Sequence, residues 1–142
     1  ELVRQINAAR TARTLASLLS SGVDITKALS ITADVLQNVH YKKVLIETEE
    51  AVKKGSPMSA SFQSHPKLFP IMVGEMIAVG EETGKLSDML VSVATFFEEE
   101  VDTKTKSLST IIEPMLMIVI GAAVGFFAVA MITPMYSLLD AI

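Results

Sequence analysis

The chain has 142 residues, 50% of them hydrophobic, with 12 Lys/Arg against 16 Asp/Glu and no cysteine. That length suits one domain of ordinary size, and the missing cysteines exclude disulfides and thiolate metal sites. Residues 1–54 hold eight Lys/Arg against six Asp/Glu, and residues 55–112 hold four against eight, so no basic patch is present of the kind nucleic-acid binding needs.

Taken in chain order, the sequence reads as helix after helix, without an alternating strand. The first helix is predicted to end at Gly22, and Asp24 to cap the second. Within the first, Leu2, Ile6 and Ala9 fall on one face and Leu15, Leu18 and Leu19 on nearly the opposite one. One core cannot receive both faces, so either the helix changes partner near Arg10–Arg13 or, the favoured reading, the first turns pack on something outside this chain, which reads as a piece of a longer protein. The second helix carries Ile25, Ala28, Leu29, Thr32, Val35 and Leu36 at helical spacing. Asn38 and His40 mark a break. A third helix from about Tyr41 to Lys54 places Val44, Leu45, Thr48 and Val52 on one side, and Gly55 stops it. Ser56-Pro57 reads as an N-cap followed by Pro at the first helical position of a short fourth helix.

Pro66 and Pro70 make the following stretch a loop, and Pro70 can open the fifth helix. On that helix Met72, Val73, Met76, Ile77, Val79 and Gly80 form a broad apolar face. Gly80 is expected to allow close helix packing, and Gly84 to end the helix. The sixth helix begins near Leu86, with a buried stripe at Leu86, Leu90, Val93, Phe97, Val101 and Leu108. Glu99 points to solvent, and Glu100–Lys104 and Asp102–Lys106 are spaced as favourable i,i+4 pairs.

Residues 115–132 carry no charge and no amide. At ~1.5 Å per residue they span about 27 Å, close to the ~30 Å hydrocarbon core of a bilayer. The fold class is therefore all-α: a six-helix bundle over residues 1–108, one transmembrane helix over 109–134, and a short tail over 135–142. Lys104 and Lys106 precede the span and no Lys or Arg follows it, which predicts a cytoplasmic bundle and an extracytoplasmic tail.

Candidate functional residues are few. Glu75, Glu81 and Glu82 read as an acidic docking stripe on the fifth helix, or as its solvated face. Gly121 and Gly125 form a small-residue groove suited to a neighbouring transmembrane helix. Glu113 and Pro114 stand at the membrane entry. No phosphate loop, catalytic triad, HExxH or EF-hand pattern is present, and His40 and His65 lack ligand-like spacing. No catalytic residue, metal or cofactor is expected.

Four stretches, in order, resemble the type II secretion system F family, whose members also serve type IV pilus assembly. They are residues 15–29 (LASLLSSGVDITKAL); residues 55–62 with Phe69-Pro70; Met76 to Leu86 (MIAVGEETGKL), which is similar to the family's G-E-x-[ST]-G-x-L; and Glu113-Pro114 with the small-residue span and Pro134. The resemblance implies a repeated six-helix cytoplasmic domain, of which this chain would be the second copy with the last span. It further implies a non-enzymatic inner-membrane platform that oligomerises, meets a cytoplasmic assembly ATPase and other inner-membrane subunits, and handles pilin-like proteins. Two other classes fit the residues alone: a membrane-tethered adaptor for a soluble signalling partner, and a sensor whose acidic stripe takes a hard cation.

Overall fold

The computed structural model describes residues 1–142 as six α-helices, with no strand. These are α1 (Leu2–Ser20), α2 (Ile25–Val35), α3 (Val39–Lys53), α4 (Met58–Gln63), α5 (Ile71–Thr83) and α6 (Leu86–Leu139). The chain divides into two compact units, Glu1–Asp102 and Thr103–Ile142.

Local chemistry sets most of the helix ends in the first unit. Gly22 and Gly55 adopt φ of +85° and +91° after α1 and α3, a conformation that glycine reaches without steric penalty. Asp24 N-caps α2 by accepting the Thr26 N–H, and Asn38 caps α3 by accepting the His40 N–H. α3 therefore starts at Val39, two residues before the expected start, and His40 lies inside its first turn. Pro57 is the N-cap of α4 rather than its first helical residue, and neither it nor Ser56 supplies a side-chain cap.

The α1 conflict resolves through alanine. Its buried residues are Gln5, Asn7, Ala8, Ala9, Thr11, Ala12, Leu15 and Ala16, with Leu2 and Ile6 half-buried along one edge and Leu18 half-buried towards the other. At ~3.6 residues per turn, that alanine stripe lies between the two leucine/isoleucine faces.

The core gathers Leu15, Leu29, Leu45, Met58, Phe62, Phe69, Val73, Ile77, Leu90, Val93 and Phe97. α2 packs on α3, α3 on α4, and α4 on α5. Some apolar positions at helical spacing face outward instead: Val35 on α2 and Val79 on α5 are exposed. On α6 the buried stripe is Leu90, Val93, Ala94 and Phe97; Val101 is half-buried and Leu108 exposed. Glu99 is exposed, as expected.

The second unit is the remainder of α6 and three residues after it. α6 is long and apolar enough to cross a membrane. Pro114 and Pro134 lie inside it, and helix continues through both.

Candidate functional site

The residues singled out on α5 separate into an inner and an outer set. Glu81 turns inward: its Oε1 accepts the Met58 N–H at 2.6 Å and its Oε2 the Ser59 N–H at 3.2 Å. A helix start leaves its first N–H groups without intrahelical acceptors and carries the positive end of the helix dipole. α4 lacks a cap of its own, and a carboxylate from α5 provides one.

Glycines bring the helices close enough for this. A Cβ at Gly80 would stand 2.7 Å from the Leu86 Cα, so any side chain there pushes α6 away. One at Gly74 would stand 2.6 Å from the Gln63 Cγ and 3.2 Å from the Gln63 backbone nitrogen, at the α4–α5 contact. Gly84 closes α5 in the left-handed conformation (φ 70°, ψ 16°), and the Lys85 N–H returns to the Gly80 carbonyl at 3.0 Å. Gly80, Glu81 and Gly84 thus build one corner joining α4, α5 and α6. Gly74 escaped the sequence reading, although a second glycine six residues before Gly80 in a helical run was the available signal.

Glu75 and Glu82 face outward on α5, together with Ile71 (67% exposed) and Val79 (46% exposed). The result is an exposed strip of mixed acidic and aliphatic side chains.

A second polar assembly ties α1 to α6. Arg13 Nε and Nη2 donate to the two Glu98 oxygens at 2.9 and 2.7 Å, and Nη2 also reaches Thr95 Oγ1 at 3.3 Å. Gln5 Nε2 donates to Glu100 at 3.2 Å, and the hydroxyls of Ser20 and Ser87 meet at 2.6 Å. The Arg13 hydrogen bonds hold the Glu98 carboxyl below its ordinary value, and Glu98 in turn raises Arg13. A depressed carboxyl contributes stability above its unfolded value that is lost as pH falls through the folded value. Native protein should therefore exceed Arg13→Ala in stability at pH 7, and the difference should shrink progressively as pH falls below the ordinary glutamate value of about 4.3. Both side chains are nearly half exposed (42% and 46%), so the difference should be about 0.5 kcal/mol or less. Urea titrations of the two proteins across that pH range measure it.

His40 and His65, distant in sequence, line one cleft with Lys43 and Glu47. His65 Nδ1 lies 2.8 Å from the Ser61 carbonyl and its Nε2 3.8 Å from Glu47. No group of three or more His, Asp or Glu side chains is arranged to hold a metal ion. In the second unit, Glu113 and Pro114 are exposed, and nothing stands within 4 Å of a Cβ built at Gly121 or Gly125.

Residues 11–134 match the model of the family described as type II secretion system (T2SS), protein F. The chain is 41% identical over 138 residues to the type IV pilus assembly protein PilC of Thermus thermophilus, covering 97% of this chain and 34% of that protein. It is 38% identical over 141 residues to the PilC of Myxococcus xanthus (99% and 34%). To the type II secretion system protein F of Pseudomonas aeruginosa it is 34% identical over 137 residues (96% and 34%). The chain spans about a third of the length of these relatives. A family match that takes in the second half of α1, α2 to α5 whole and α6 up to Pro134 leads to one conclusion: the chain belongs to the type II secretion system protein F family.

Proposed function

We propose that this chain is part of a non-enzymatic inner-membrane platform subunit of a type II secretion or type IV pilus assembly machine. Relatives bearing both names, aligned over nearly the whole chain, are the observation that carries this reading. In it residues 109–134 cross the inner membrane. The bundle faces the cytoplasm, in line with Lys104 and Lys106 before the apolar stretch and no basic residue after it. Gly121 and Gly125 offer the face on which a span of another copy, another inner-membrane subunit or a pilin-like protein can pack closely. The bundle receives mechanical work from a cytoplasmic assembly ATPase, and the outer α5 strip of Ile71, Glu75, Val79 and Glu82 is its docking surface. Glu81 is left out of that surface because its carboxylate is engaged with α4.

The test is co-purification of the detergent-solubilised protein with the assembly ATPase of the same organism. Glu75→Arg/Glu82→Arg is expected to weaken binding at least about tenfold, equivalent to ~1.4 kcal/mol, with the helical circular-dichroism signal unchanged. Binding retained by the folded variant would move docking off α5. Binding absent from native protein would count against coupling through this chain.

A further inference from the structure

α5 is the one helix of the chain with acidic residues and no basic one: Ile71–Thr83 reads IMVGEMIAVGEET, with glutamate at 75, 81 and 82 and neither Lys nor Arg. Glu81 is engaged with α4. Glu75 and Glu82 form no ion pair and accept no hydrogen bond within the chain. Exposed aliphatic residues elsewhere in the first unit stand beside charges that the fold pairs for itself. Val39 is close in sequence to Lys42, which lies 3.5 Å from Asp34. Ile46 falls between Lys43 and Glu47, which lie 3.7 Å apart. Val91 precedes, on one helix face, Thr95 and Glu98, both held by Arg13. On α5 the exposed Ile71 and Val79 alternate with two carboxylates whose counter-ions the chain does not supply.

The spacing says what shape of partner fits. At ~100° per residue, positions 71, 75, 79 and 82 fall within about 80° of the helix circumference, and at ~1.5 Å per residue they run in steps of about 6, 6 and 4.5 Å. A second helix lying along the strip presents residues in the same steps at i, i+4, i+8 and i+11, or in the reverse order. Same-side residues of an extended strand stand ~6.8 Å apart and run about 4 Å past the strip over four positions. The two carboxylates repel phosphate and anionic lipid headgroups and attract Lys and Arg, while Ile71 and Val79 offer apolar area between them.

We infer that the α5 strip docks a helix of a partner protein whose contacting face alternates aliphatic with basic residues at this spacing. The inference rests on the docking role proposed above for the strip, and it adds the chemistry of the face that the strip meets. Four side chains along ~16 Å cover far less than the ~800 Å² per partner of a stable interface, so this contact is made and broken readily.

The test uses the full detergent-solubilised chain and the assembly ATPase of the same organism. With no native cysteine, a benzophenone can be attached at Ile71→Cys or at Val79→Cys, and the cross-linked ATPase peptides sequenced. Both adducts are expected on one ATPase helix, about two turns apart, with Lys or Arg beside each. Glu75→Gln/Glu82→Gln should weaken binding about threefold to tenfold at low salt and less at 1 M, where screening acts within ~3 Å. Glu75→Lys/Glu82→Lys should lose binding, and Lys/Arg→Glu at the mapped ATPase positions should restore it to within about threefold of native. Circular dichroism checks that each variant is folded. Adducts on an acidic or non-helical surface, or a charge swap that fails to restore binding, overturn the inference and leave docking on α5 standing. An ATPase that binds without an adduct from either position, or that does not bind native protein, overturns both.

Discussion

Phe69→Ala should destabilise the bundle by about 3–5 kcal/mol, the largest loss expected from any single truncation considered for this chain. Phe69 is completely buried although it lies in the loop between α4 and α5. Its ring meets Tyr41 of α3 edge-on at 5.2 Å and 82°, and Phe62 of α4 at 4.7 Å and 60°. Truncation removes the transfer energy of the ring, leaves a cavity between α3 and α4, and breaks two aromatic contacts worth ~0.5–1.5 kcal/mol each. Burial also raises the Tyr41 phenol above its ordinary value, and that shift should shrink once water enters the cavity. Urea denaturation in detergent measures the loss, and Phe69→Leu, which keeps most of the apolar volume, should recover the larger part of it. A Phe69→Ala loss below about 1 kcal/mol would mean that the loop does not bind into the core.

The burial of Phe69 also marks a limit of reading the chain residue by residue. The ends of α1, α3 and α5 were legible because Gly22, Gly55 and Gly84 act within one turn of backbone. The start of α2 was legible for the same reason, since Asp24 bonds to Thr26. Residues acting over longer separations were not. Phe69 sits between two prolines and reads as loop, and only the approach of α3 and α4 buries it. Alanine scores too weakly in hydropathy for Ala8, Ala12 and Ala16 to announce a core face, so α1 seemed to have two. Val35 and Val79 are the converse case, apolar at the right spacing but outside the actual contacts. At the candidate site, periodicity placed Glu75 and Glu82 outward but could not separate Glu81 from them. The Glu81 ligands, Met58 N and Ser59 N, lie over twenty residues away and belong to backbone that carries no side-chain signal.

Glu81→Ala should cost about 1.5–3 kcal/mol, the range for losing hydrogen bonds to a charged group. α4 has only six residues, far below the ~12–15 at which an isolated helix becomes marginal in water, so its first turn depends on what packs and caps it. Without the carboxylate, the Met58 and Ser59 N–H groups lose their acceptors while Met58 and Ser59 themselves remain buried. Glu81→Gln keeps an acceptor oxygen but loses the charge that complements the helix dipole, so its loss should fall between native and Ala. Glu81→Arg sets a cation against the positive end of α4 and should be the least stable of the set. Thermal unfolding of the four proteins would test this order, at about 4–8 °C per kcal/mol for a unit of ~100 residues. The same series separates architecture from docking. Glu75→Arg/Glu82→Arg should keep native stability and lose the ATPase, whereas Glu81 variants should lose binding only in proportion to their unfolding. A Glu81→Ala protein as stable as native that nonetheless fails to bind would put that carboxylate on the docking surface and make α4 capping incidental.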